Sequence, residues 1–328
     1  VTRQWLWGFL FFARNLISDV SAGPPLVAIV GATATGKSAL AIDLARTIGA
    51  EVINADAMQF YRGMDIGTAK VPLAERHGVV HHQIDTLDVH QDATVAQFHR
   101  DATKDMEDIV SRGSRTVVVG GSGLYIRALL DGFTFAPTDP EVRSALEKRA
   151  QDHGPGVLHR ELAEVDPVAA QKIDARNTKR IVRALEIIAL TGRYTSALPE
   201  RTYARPTVQI GLRLSREVLV PRIESRVTQM WRAGLVEETE QLVAQGIRRG
   251  VTAQRAVGYA ETLRFIDGEI DEEETRALIV RHTTRLARKQ RSWFGADDRV
   301  QWIDAPRDEG DVARAVRDVC ALLDSLES

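Results

Sequence analysis

Residues 26–40 read LVAIVGATATGKSAL, an apolar run that breaks into Gly-x4-Gly-Lys-Ser and resumes with helical spacing. Such a stretch demands a buried strand, a turn in which glycines let main-chain N–H groups converge, and a helix whose N-terminal end faces the same point. Gly31, Ala32, Thr33, Ala34, Thr35, Gly36, Lys37 and Ser38 then form a cradle for phosphate oxygens, with Lys37 as a mobile cation and the Ser38 hydroxyl as a ligand for Mg²⁺. A chance Gly-rich turn is disfavoured, because the flanking strand and helix are the context the loop requires. The cradle senses only oxygen and charge, so a nucleotide and any other pyrophosphate group satisfy it equally.

The chain around the loop alternates. Strands are expected at 26–31, 51–56 and 115–121, with helices at 37–48 and 94–113 and a further helix after the third strand. That order implies a parallel sheet covered on both faces, an α/β fold of the P-loop NTPase-like kind. From Pro137 to Pro206 only helical patterns appear: DPEVRSALEKRAQDHG, GVLHRELAEVDPVAAQKI and NTKRIVRALEIIALTG. Strands return at 207–214 and 299–304, with helices at 215–233, 235–245, 257–267 and 271–294 between them. The expected organisation is a core domain of 24–137 and 207–328, an all-helical insertion domain of 138–206, and an extension over 1–23 outside the fold.

Composition narrows the function classes only slightly. A single cysteine, Cys320, excludes an intrachain disulfide framework and fits a reducing, cytoplasmic setting. The net charge of −2 excludes nothing, since a local basic stripe is enough for nucleic acid. The apolar run at 5–12 is too short for a bilayer, which needs about 20 residues. No membrane association is expected.

Other residues bear on chemistry. A nucleotide hydrolase needs a carboxylate at the end of a neighbouring strand, yet TVVVGG ends in glycines. Asp56 closes the strand EVINAD at the edge that lines the ligand crevice of such sheets, so it is a candidate general base. By residue type alone, a cap or turn aspartate is the commoner reading. Thr68 and Lys70 in GMDIGTAK suit a loop at the same crevice. His81 and His82 point oppositely on an extended segment, which argues against a two-His metal site. Ser122 in GGSGLY is free to donate to an oxygen. Arg222 and Arg226 share a helix face and can clamp phosphate, although a solvated face is the commoner use of such a pair. Arg281, Arg285, Arg288 and Lys289 form a basic run without acids, a weak sign of phosphate contact by itself. Arg255, Gly258 and Tyr259 in RAVGYAE suit a turn that stacks on or bonds unpaired bases.

GATATGKS, NADAMQFYRGMDIGTAK, HHQIDTLD, VVVGGSGLYIRALLDG, RIVRALE, RIESRVTQM, RAVGYAE and RLARKQRSWF together resemble the tRNA dimethylallyltransferases, in family order from residue 26 to about 304. The resemblance implies transfer of a dimethylallyl group from dimethylallyl diphosphate, with Mg²⁺, to N6 of the adenosine on the 3′ side of the anticodon. It implies that the loop at 31–38 holds the donor diphosphate, that Asp56 accepts the N6 proton, and that Ala57, Met58 and Gln59 contact the target nucleotide. Ser122 stands where the family usually has threonine, near the reacting centre, and Ala57 where serine is common. An arginine of the 222–226 segment assists the departing diphosphate, with Arg226 favoured and Arg222 as substitute. Arg143, Lys179, Arg180, Arg183, Arg255, Gly258, Tyr259, Arg285, Arg288 and Lys289 match tRNA-facing positions, while Ala260 replaces a residue that is usually basic. The partners so implied are the tRNA anticodon stem-loop and the donor, and a monomeric chain is expected. The rival readings are an isopentenyltransferase for free AMP, ADP or ATP, a non-catalytic RNA-binding relative, and a small-molecule P-loop kinase.

Overall fold

The computed structural model describes residues 24–194 and 198–327. The extension expected over 1–23 lies outside the described residues. The chain divides into two compact units, one of Val1–Gly132 with Arg201–Ser328 and one of Phe133–Glu200. These boundaries fall earlier than 137 and 206: Ala136 and Asp139 bond within the helical unit, and Tyr203 and Ala204 within the core.

The first unit opens with β1 (Leu26–Gly31), α1 (Lys37–Ile48), β2 (Ala50–Asn54), β3 (His81–His82), α2 (Val95–Ser111), β4 (Arg115–Gly120) and α3 (Gly123–Leu130). The second unit supplies α4 (Pro140–His153), α5 (Pro155–Val165), α6 (Pro167–Lys172) and α7 (Thr178–Thr191). The first unit resumes with β5 (Thr207–Arg213), α8 (Arg216–Arg232), α9 (Leu235–Gln245), α10 (Tyr259–Ile266), α11 (Glu272–Gly295), β6 (Gln301–Asp304) and α12 (Glu309–Glu327). Its six strands form one parallel sheet in the order β3-β2-β4-β1-β5-β6.

The expected continuous apolar strand is found: every residue of β1 is buried. Its alternation sends Val27 and Ile29 against Leu40 and Leu44 of α1, and Ala28 and Val30 to the face covered by Phe98, Ile126 and Phe294. Each such side chain removed from water contributes roughly 1.5–3 kcal/mol, which makes β1 a stable floor for the loop that follows it. The last helix, α12, was not part of the sequence reading. Its Val316, Val319 and Leu323 recur at helical spacing and close the α1 face of the sheet.

In the second unit, the single helix expected over GVLHRELAEVDPVAAQKI is two. Pro167 has no N–H to continue α5, and Asp166 instead caps α6 by accepting the Ala169 N–H at 2.9 Å. Leu146, Leu158, Leu162 and Ile181 form the core of this unit. Glu186 is fully buried and accepts from Arg143 at 2.7 Å, from Arg183 at 2.8 Å and from the Asp139 N–H at 3.0 Å. Burial pushes its carboxyl up, but these bonds hold it below the usual glutamate range.

Candidate active site

The C-terminal ends of β1, β2 and β4 lie side by side, with Val30 opposite Gly120 and Asn54 opposite Val119. A cavity of about 850 Å³ opens over this edge. The loop after β1 divides as its conformation requires. Thr33, Ala34, Gly36, Lys37 and Ser38 line the cavity, and Ala39 joins them. Gly31, Ala32 and Thr35 do not; they are buried beneath, where Thr35 Oγ1 and Lys37 Nζ both donate to the Ala32 carbonyl, at 2.8 and 2.7 Å. These three support the loop from below. Gly36 adopts a left-handed conformation, φ 88°, and no side chain caps α1, so the N-terminal N–H groups of the helix face the cavity.

Lys37, Asp56 and Arg226 meet at this edge. Burial brings the Lys37 ammonium down to about 8, with Asp56 pulling it up and Arg226 pushing it further down. Burial raises the Asp56 carboxyl above the usual aspartate range, against the Met58 N–H, Lys37 and Arg226, which all favour its charge. Both readings of Asp56 hold at once. Its Oδ1 caps the 3-10 turn at Ala57–Phe60 by accepting the Met58 N–H at 3.1 Å, and its second oxygen accepts no hydrogen bond among the described residues. Arg226 Nη1 donates to Thr33 Oγ1 at 3.2 Å, whereas Arg222, one helical turn away, does not line the cavity.

The structure also shows what keeps a carboxylate off β4. A Cβ on Gly120 would stand 2.4 Å from the Ala55 carbonyl oxygen, and one on Gly121 would stand 2.2 Å from Gln290 Nε2. At Gly120 the obstacle is main chain, and at Gly121 a side chain would have to displace the Gln290 amide, so the carboxylate beside the ends of these strands comes from Asp56. Ser122 directs its hydroxyl to the main chain, accepting the Ala57 N–H at 3.1 Å. It therefore holds the segment that carries Asp56. Ala57 is buried, Met58 half-buried, and Gln59 reaches the cavity while donating to Thr68 O at 3.1 Å. Thr68 and Lys70 line the same cavity, as does His81, while His82 turns to Glu51 at 2.7 Å.

Two positions expected to face nucleic acid are buried. Tyr259 is fully buried; its hydroxyl donates to Glu238 at 2.6 Å and accepts the Gly67 N–H at 3.1 Å. Gly258 is buried as well, with its N–H on Glu261 at 2.7 Å. Neither can stack on a base. The geometry makes Tyr259 a brace for the 63–70 loop, together with Glu238, which also accepts the Asp65 and Ile66 N–H groups at 3.0 and 2.8 Å. Arg143 and Arg183 pair with Glu186, and Arg183 also donates to the Ala136 and Pro137 carbonyls, while both side chains stay partly exposed. Lys179, Arg180, Arg255, Arg285, Arg288 and Lys289 are exposed, and none makes an ion pair among the described residues.

Gln290 is the site residue that sequence reasoning missed. Its Oε1 accepts the Thr33 N–H at 2.8 Å and its Nε2 donates to the Gly121 carbonyl at 3.1 Å. An amide amid arginines looked like one more polar residue of an exposed helix. The signal was present in the spacing, since Gln290 follows Ala287 by three and precedes Phe294 by four, all three buried.

A P-loop at a parallel sheet edge, a half-buried lysine and arginine, and a half-buried carboxylate define a group-transfer site for a substrate carrying phosphate. A family model described as IPP transferase matches residues 59–297. A tRNA dimethylallyltransferase of Kineococcus radiotolerans is 53% identical over 301 residues, covering 89% of this chain and 95% of its own. One from Kocuria rhizophila is 50% identical, covering 90% and 96%. The crystal structure of the full-length tRNA isopentenylpyrophosphate transferase from Bacillus halodurans is 37% identical, with a TM-score of 0.69 over 92% of this chain and 97% of that one. A eukaryotic dimethylallyltransferase, described as acting on tRNA, is 27% identical, with a TM-score of 0.76 over 87% and 74%. The chain belongs to the IPP transferase family, among the tRNA dimethylallyltransferases. Among the described residues no helix is long and apolar enough to cross a membrane.

Proposed function

We propose that this chain transfers a dimethylallyl group from dimethylallyl diphosphate to the exocyclic N6 of the adenosine 3′-adjacent to the anticodon of a tRNA. The observation that carries the residue roles is the meeting of Lys37, Arg226 and Asp56 over one cavity, beside a loop whose N–H groups are open. The donor diphosphate lies on Gly36, Lys37 and Ser38 against the helix end. The allylic C–O bond breaks, its electron pair leaves on the diphosphate, and Lys37 and Arg226 stabilise that charge. The adenine nitrogen forms the new C–N bond, and Asp56 takes the N6 proton. The Ser122–Ala57 bond and the Met58 N–H hold Asp56 in place for that step.

The donor set suits Mg²⁺. The Ser38 hydroxyl faces the cavity, and the described residues contain no cluster of His, Cys, Asp or Glu able to hold a metal alone, so the ion would be shared between Ser38 and diphosphate oxygens. When bound, it neutralises negative charge on the diphosphate. The exposed cations of α11, with Lys179, Arg180 and Arg255, suit the phosphates of an anticodon stem-loop. A tRNA acceptor fits a reaction in the cytoplasm, and a monomeric chain is part of the same proposal.

The test is incubation with dimethylallyl diphosphate, Mg²⁺ and either tRNA or AMP, followed by mass spectrometry of the nucleosides. Dimethylallyladenosine is expected from tRNA alone. A product from AMP with none from tRNA overturns the proposal in favour of a free-nucleotide acceptor.

A further inference from the structure

We propose that the indole of Trp293 is a stacking platform for an unpaired RNA base next to the acceptor adenosine. The proposal rests on the reading of the chain as a tRNA-modifying transferase and adds a base-contacting residue to it. The starting point is how α11 is seated. Gln290 fixes the helix to the Thr33 N–H and the Gly121 carbonyl, and one turn later Trp293 lies against Gly123. A Cβ on Gly123 would stand 2.1 Å from Trp293 Cδ1 and 2.3 Å from Nε1, so glycine alone lets the ring rest on the main chain there. Gly123 follows Ser122, whose hydroxyl holds the Ala57 N–H beside Asp56. The indole is thus tied, through one turn and one hydrogen bond, to the segment carrying the carboxylate.

Packing on Gly123 leaves part of the ring open to solvent. Trp293 is 39% exposed. Lys289, Leu286 and Arg285 precede it by four, seven and eight residues and so share its helix face. Leu286 is 38% exposed, and Leu124, beside Gly123, is 36% exposed. Arg285 and Lys289 are exposed without an ion pair among the described residues. An open aromatic ring interleaved with free cations is the chemistry of single-stranded nucleic acid: cations meet phosphates, and the ring meets a base. Turning the acceptor adenosine out of the loop stack leaves its neighbours with one uncovered face, which an indole can cover.

The test compares Trp293→Ala and Trp293→Phe with the native chain for binding of an anticodon stem-loop at several salt concentrations. Trp293→Ala should weaken binding roughly 5- to 150-fold with an unchanged salt slope, and Trp293→Phe should recover much of it. Arg285→Ala with Lys289→Ala should instead flatten the slope. Because Trp293→Ala removes packing on Gly123, a second arm uses the native chain with stem-loops carrying an abasic site on either side of the acceptor. One abasic site should weaken binding to the native chain and have no further effect on Trp293→Ala. Native affinity for both abasic loops, native affinity in Trp293→Ala, or additive losses would overturn the proposal. Transfer by the native chain to the intact stem-loop is measured alongside, so failure of the platform is distinguishable from failure of the transferase reading.

Discussion

Gln290 Oε1 accepts the Thr33 N–H at 2.8 Å, across 257 residues of chain, and ties the longest helix of the core to the phosphate loop. The same amide donates to Gly121 O, so one side chain bridges the segments that follow β1 and β4. Gln290→Ala leaves two main-chain groups in the site without their partners, each worth roughly 1–3 kcal/mol. The KM for the donor should rise more than kcat falls, and steady-state kinetics with varied donor checks this. Gly121→Ala, which forces the same amide away, should behave alike.

Asp56→Asn should lower kcat roughly 10²- to 10⁴-fold while donor affinity is retained, as measured by single-turnover transfer and calorimetry. The pH profile follows from the two burial effects. A base works when deprotonated, and burial raises Asp56, so kcat/KM should climb with pH along a limb above the ordinary aspartate value of about 4. Lys37 holds diphosphate when charged, so the profile should fall again above about 8.

Lys37 also predicts a conflict between stability and function. In the donor-free fold its ammonium titrates at about 8 in place of the ordinary 10.5, so the unfolded chain binds more protons between these values and stability rises with pH across that window. Below it, the fold carries the full penalty of a buried charge. Lys37→Met should therefore melt higher than the native chain at pH 7, and the difference should shrink as pH approaches about 10. Donor binding should be lost in the same variant. Calorimetric melts at the two pH values check the sign.

Arg226 and Arg222 are separable. Arg226 reaches Thr33 Oγ1 and the cavity, and Arg222 does neither. Arg226→Ala should lower kcat roughly 10²- to 10³-fold, the scale for removing one donor aimed at developing negative charge. Arg222→Ala should stay close to the native rate. Parallel kcat measurements decide between them.

Tyr259→Phe tests the corrected role of that residue. The ring stays, but the Gly67 N–H and Glu238 lose a partner, so stability should drop by roughly 1–3 kcal/mol. RNA affinity at saturating donor should not change. A denaturant titration and a filter-binding assay report the two quantities separately.

The legible parts of this protein were those governed by local rules. Strand β1, the loop after it and α1 follow from apolar periodicity and the backbone freedom of glycine at Gly36, which act within a few residues. The helical character of 138–206 was legible for the same reason, and so was Asp56 at a strand end. The roles of Tyr259, Arg143 and Arg183 were not. Residue type says that a tyrosine can stack and an arginine can bind phosphate, but only the fold brings Glu238 to Tyr259 and Glu186 to Arg143, whereas Arg183 and Glu186 are three apart on one helix and pair locally. Gln290 was hidden for the converse reason: its partners are main-chain groups, which have no letter in a sequence. By itself the sequence determined the phosphate cradle, the alternation that builds the sheet and the set of charges available. The tertiary structure decided which of those charges face the cavity and which are spent on buried partners, because burial and pairing depend on contacts between separate elements, 21 residues apart for Tyr259 and Glu238 and 193 for Arg226 and Thr33.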